Sequence, residues 1–144
     1  MMPQETRALA QLTDALYRVE LAKLHKLATE EAALRRALVE LEERRKANSA
    51  LPAPGLGGMR RIGADTMWQG WVDRKRRELQ SELARVLARK NRLMRGVRLA
   101  FGRNTAAETL HRNRIQQRQD TMTRKRFEQE QALFLLKALD RDQV

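Results

Sequence analysis

The chain has 144 residues, of which 42% are hydrophobic, 33% charged and only 4% aromatic, and it carries a net charge of +12. That balance excludes a large compact core, and the absence of cysteine excludes a disulfide framework or a thiolate metal site. No segment approaches the roughly eighteen apolar residues of a membrane span, and the acid-bearing amino terminus lacks the apolar run of a signal peptide, so the sequence reads as soluble and cytoplasmic.

The apolar residues are mainly Leu, Ala, Met and Val, which favours helix over sheet. Pro3 suits a first helical turn, and Glu5 beside it favours the positive end of the helix dipole. Leu9, Leu12, Leu16 and Val19 then recur at spacings of three and four. A second series follows, Leu27, Leu34 and Leu41 with Leu38 between, and the step of eleven from Leu16 to Leu27 predicts a stutter near Leu21 and Leu24. Glu40 with Arg44 and Glu42 with Lys46 stand four apart in the favourable order on the exposed face. The first helix is expected over 4–48.

Residues 49–65 hold both remaining prolines and four of the seven glycines. They read as a loop long enough to reverse the chain. Thr66 with Gln69 has the spacing of a capping box, with Asp65 as the alternative cap, so the second helix is expected over 66–141. Within it Val72, Leu79, Val86, Leu93, Ala100 and Ala107 return at every seventh position, with Leu83 and Val97 widening the seam. Leu87, Met94 and Phe101 stand one residue beyond it. Gly70, Gly96 and Gly102 lie inside this helix, Gly96 and Gly102 as flexible points, close backbone approaches or mere drift.

Two apolar-striped helices joined by such a loop bury each other's seams, so the expected fold is all-α: one domain over 1–144, an antiparallel two-helix coiled-coil hairpin with a C-terminal helical overhang. Folding back from residue 66 covers the second helix to about residue 110. The overhang is in two parts. Residues 111–126 are polar and basic, with apolar side chains only at Ile115 and Met122, while 127–139 carry Phe127, Leu133, Phe134, Leu135, Leu136 and Leu139. An apolar tip of this kind calls for a partner or a second copy.

No nucleophile–base set and no glycine-rich strand-to-helix loop is present, and the paired carboxylates Glu30 with Glu31 and Glu42 with Glu43 fall on a solvated face, so no catalytic residue, metal or cofactor is expected. His25 and His111 read as polar face residues. Residues 60–126 hold nineteen basic and six acidic side chains, against nine and eight in 1–48. Such a stripe meets nucleic acid, an anionic membrane or an acidic protein. The run Arg74, Lys75, Arg76, Arg77 spreads around the helix and reads as solvated. Two candidate partner surfaces follow. One is the overhang, with Arg112, Arg114, Arg118, Met122, Arg124, Arg126, Phe127, Phe134 and Leu136. The other is the loop tip, with Met59, Arg60, Arg61, Trp68 and Trp71, where the tryptophans either close the coil against Leu38 and Leu41 or anchor a partner.

A shorter first helix, a loop, a tryptophan-bearing start (Met67, Trp68, Gln69, Gly70, Trp71), a longer arginine-rich second helix and a short acidic end together resemble the FliJ/YscO family of type III export proteins over nearly the full chain. That resemblance implies a stalk of a bacterial flagellar or virulence export system that inserts its overhang into a hexameric export ATPase, as the γ subunit does in rotary ATPases. It also implies contacts with export-gate protein and substrate chaperones, and a cytoplasmic place peripheral to the membrane export apparatus. Rival readings are a basic nucleic-acid-binding coiled coil, for which the stripe lacks interleaved base-reading residues, and a dimeric scaffold. A hairpin entering an RNA polymerase channel ranks below them, since its tip would be acidic.

Overall fold

Pro3 opens the first helix, where its missing N–H is no loss. The Glu5 carboxylate accepts from the Met2 backbone N–H at 2.9 Å, and the Met2 carbonyl accepts from the N–H groups of Glu5 and Thr6, which satisfies the orphan groups of the first turn. The structure, a computed structural model, describes residues 1–50 and 58–143, with residues 58–61 described by their backbone alone. Helix α1 is Pro3–Ser49 and helix α2 is Gly58–Asp142; among the described residues there is no strand.

Helix α2 starts eight residues before the expected Thr66. The Thr66 hydroxyl donates to the Ile62 carbonyl at 2.9 Å, so it serves the interior of a helix already under way and not its cap. Residues 51–57 of the expected loop lie outside the described residues. The helices pack antiparallel as an all-α hairpin, and the chain falls into two compact units. The first consists of Met1–Arg18 and Leu99–Val144, the second of Val19–Arg98.

In the Val19–Arg98 unit the buried residues Leu41, Val72 and Leu79 form the core, with Leu34, Ala37, Leu38 and Trp68 packed against it. Val86 and Val97 are buried along the same seam. This seam keeps strict heptad spacing on α2, as the sequence predicts: Val72, Leu79, Val86 and Leu93 at one position, Leu83 and Val97 at the other. The other position also holds Arg76 and Lys90. Each cation finds a carboxylate across the seam, Lys90 Nζ donating to Glu31 at 2.8 Å and Arg76 to Glu42 at 3.0 Å. Glu42 also takes Arg45 at 2.7 Å, so it serves Arg45 and Arg76 where Lys46 was the expected partner; among the described residues no ion pair joins Glu40 to Arg44. A Cβ at Gly96 would stand 3.3 Å from the carboxylate end of the flexible Glu20 side chain and meets no backbone of the other helix, while Gly70 and Gly102 face open space.

Lys90 and then Arg35, both hydrogen-bonded to Glu31, hold its carboxyl below the ordinary value of 4.5, and Arg45 does the same for Glu42. A carboxylate lowered on folding stabilises the folded state above its unfolded value and loses that contribution as pH falls through the folded one. The unit therefore loses urea resistance below about pH 4.5. Glu31→Gln with Glu42→Gln flattens that acid limb. An unchanged acid limb in the double variant would refute the assignment.

In the unit of Met1–Arg18 and Leu99–Val144 the same heptad continues with a different chemistry. Ala100 and Ala107 hold one seam position of α2, and Asn104 and His111 hold the other. Facing them on α1 are Thr6, which is fully buried, Ala10, Thr13 and Tyr17. Thr6 Oγ1 lies 2.9 Å from His111 Nδ1 and Thr13 Oγ1 lies 3.1 Å from Asn104 Oδ1. Seven residues forward on α1 thus match seven back on α2. Tyr17 and Phe101 add a tilted ring pair at 5.5 Å. His111 is therefore a seam residue and not a surface one, while His25 is exposed.

The expected stutter is absent from α1. Its inward residues run Thr6, Ala10, Thr13, Tyr17, Glu20, Leu24, Leu27, Glu31, Leu34, Leu38 and Leu41, alternating four and three throughout. Leu12, Leu16 and Val19 point outward at 57%, 54% and 52% exposure. The apolar series that predicted a slip is not the seam.

Candidate partner-binding surfaces

Helix α1 runs out opposite residues 111–115 of α2, about a turn further than expected. Pro3 shares a hollow with Ile115, Arg118, Met122 and Arg126, so the last covered turn is a step and not a flush end. From residue 115 to residue 143 every side chain of the chain is exposed. This stretch still holds helix without a packing partner, because it carries strong helix formers and no proline or glycine.

The overhang candidates fall largely where the sequence places them. Arg112, Arg118, Arg124 and Arg126 are exposed, and Arg114 is half-buried with a guanidinium N–H donating to Gln117 at 3.4 Å. No ion pair among the described residues involves any of the five; those present link side chains between Asp14 and Lys90. Unpaired arginines with fixed forks suit bidentate pairing with carboxylate or phosphate on another molecule. Beyond them Met122, Phe127, Leu136 and Phe134, the last 73% exposed, present apolar surface. Phe127 and Phe134 share one face with Gln131 and Leu135, lining a shallow hollow. Leu136 falls on the opposite side, at the helical position that follows Ile115 and Met122 by whole heptads. The tip is apolar on two faces.

Of the loop-tip set the structure describes the side chains of Trp68 and Trp71. The side chains of Met59, Arg60 and Arg61 lie outside the described residues. Trp68 packs on the core beside Leu41 and Val72 and so closes the hairpin. Trp71 stacks on it, centroids 5.2 Å apart and planes at 20°, and keeps an exposed face. The basic run one turn on is only partly solvated, since Arg76 is half-buried against Glu42 and Asp73 while Arg74 and Arg77 are exposed.

Sequence reasoning missed Lys125, Glu128, Leu135 and Leu139 as members of one stripe. They continue the α2 seam past α1, and counting sevens onward from Val97 and Ala107 would have found them. Among the described residues no helix is long and apolar enough to cross a membrane. No family model, curated protein or solved structure matches this chain.

Proposed function

We propose that this protein is a non-enzymatic coiled-coil adaptor whose uncovered α2 end docks into a protein partner. In particular, we read it as the stalk of a bacterial flagellar or type III export ATPase complex, as the FliJ/YscO resemblance implies. The observation that carries the reading is the bare helical extension past α1, with unpaired arginines along it and an apolar tip at its end. A helix of this kind fits a central hole lined by carboxylates, where many weak contacts allow turning or shifting better than one fixed interface would. The export gate and substrate chaperones would meet other parts of the chain, Trp71 among them, and the protein would work in the cytoplasm at the membrane export apparatus.

The test is a direct one. Full-length chain and a form truncated after Gln119, which keeps the seam of α1 through the Thr6–His111 layer, are used as bait in nuclease-treated extract of the source cell, and captured proteins are identified by mass. Recovery of a hexameric export ATPase by the full chain alone supports the stalk. Capture that depends on nucleic acid and vanishes with nuclease would sink it in favour of the basic nucleic-acid binder, whose affinity should also fall steeply with salt.

A further inference from the structure

The apolar series of α1 that does not face α2 has a regularity of its own. Leu9, Leu12, Leu16 and Val19 stand at alternating steps of three and four, and the same steps carry the row back to Glu5 and on to Lys23. This is the spacing of a coiled-coil seam, set on the outer side of a helix whose inner side already holds one. Leu12, Leu16 and Val19 are each more than half exposed. Ala8, Ala15 and Ala22, all exposed, border the row on its side away from α2. We propose that the same row of a second copy of this chain covers this outer seam, the two α1 helices pairing antiparallel about a twofold axis midway between Leu12 and Leu16.

The row is acidic at one end, apolar in the middle and basic at the other, which selects both direction and register. Antiparallel pairing about its midpoint sets Leu12 against Leu16 of the second copy, Leu9 against Val19 and Glu5 against Lys23, and by symmetry does each twice. Every apolar side chain of the row then meets another, and each carboxylate meets a cation. One Glu5 oxygen accepts from the Met2 backbone N–H, which leaves the other for Lys23. Lys23 lies 3.2 Å from Glu20 of its own helix and has further donors. A parallel, in-register pair would oppose Glu5 to Glu5 and Lys23 to Lys23. Sliding the antiparallel pair by a heptad one way sets Glu5 against Leu16. Sliding it the other way sets Lys23 against Leu12 and Lys26 against Leu9.

The alanines give a second, independent reason. In this register Ala15 lies beside Ala15 of the second copy and Ala8 beside Ala22, so only methyl groups stand between the backbones on that side and the helices approach closely. Long charged side chains there would hold them apart. The interface is isologous and closed, so it forms a dimer and not a fibre. It is short, which makes the dimer weak and reversible. It takes in no residue of the α2 extension, which the proposed function needs uncovered, and because the α1 helices run opposite ways the two extensions lie at opposite ends of the pair. It stands or falls independently of which protein the adaptor serves.

Sedimentation equilibrium tests it. The wild-type chain is expected to approach twice 16.7 kDa as its concentration is raised, and the form truncated after Gln119 to associate equally well. Leu12→Glu sets a carboxylate against a leucine in both central layers and weakens association roughly a hundredfold. At low concentration this variant melts as wild type does, because the side chain it replaces is exposed. The chain lacks cysteine, so a short bismaleimide joins two copies of Ala15→Cys, and two of Ala8→Cys with Ala22→Cys, but not two of Ala8→Cys alone. A wild-type chain that stays monomeric at the highest workable concentration would leave the row to another protein's helix and overturn the proposal. A dimer indifferent to Leu12→Glu, a dimer lost on truncation, or linkage of Ala8→Cys alone would each overturn it too.

Discussion

Val72→Asp should lower the stability of the Val19–Arg98 unit by about 3–5 kcal/mol, the cost of leaving an uncompensated charge in a packed interior. Val72 is fully buried among Leu41, Leu79 and Trp68. A carboxylate there would look for a cation, and the one a turn further along the seam, Arg76, is already held by Glu42 and Asp73. Domains of ordinary size hold only about 5–15 kcal/mol in all, so the unit's melting transition should fall sharply or vanish. Val39→Asp makes the same chemical change at a site 57% exposed and should stay within about 0.5 kcal/mol of wild type. Thermal unfolding followed by circular dichroism compares the two. A Val72→Asp protein that melts like Val39→Asp would mean that the helices are not held together through this seam.

That seam was legible because α2 spends its apolar residues on it. Val72, Leu79, Val86, Leu93, Ala100 and Ala107 recur at sevens, and with Leu83 and Val97 they mark the inward face without help from the partner helix. Helix α1 offers no such reading near its start. Its leucines at 12 and 16 are periodic but exposed, and its inward positions there are the buried Thr6 and the half-buried Thr13. What decides this is the other helix. Asn104 and His111 stand in the seam of α2, and polar groups taken from water need hydrogen-bond partners, so the threonines and not the leucines turn inward. A reading that follows apolar residues alone must invent a phase slip at that place.

The start of α2 was hidden for a local reason. Glycines and prolines across 49–65 argue for loop, and Thr66 looks like a cap, yet the helix begins at Gly58 and the Thr66 hydroxyl bonds back to Ile62. Among the candidate site residues, exposure of the arginines and phenylalanines of the overhang followed from simple bookkeeping of helix lengths. The division of labour between Trp68 and Trp71 did not, because two tryptophans three residues apart lie on neighbouring faces and only the position of Leu41 tells which one faces inward.

That division gives the second large effect. Trp68→Ala should cost about 2–3 kcal/mol, toward the low end for a large aromatic because Trp68 is half-buried. Its indole Nε1–H is buried with no hydrogen-bond partner among the described residues. An unmade hydrogen bond of this kind costs about 1–3 kcal/mol, which offsets part of what the ring gains by packing. Trp68→Phe removes the orphan donor and keeps most of the apolar contact, so it should lose far less than Trp68→Ala. Trp71→Ala gives up one stacked ring pair and little buried area, about 1 kcal/mol or less. Urea unfolding read by circular dichroism ranks the three variants, with tryptophan fluorescence reporting on whichever indole remains. If Trp71→Ala proved the most damaging, Trp68 would not be the residue that closes the hairpin. If instead it leaves stability intact yet weakens capture of a partner, the exposed face of Trp71 is a contact surface, and the two adjacent tryptophans divide between holding the fold and meeting another protein.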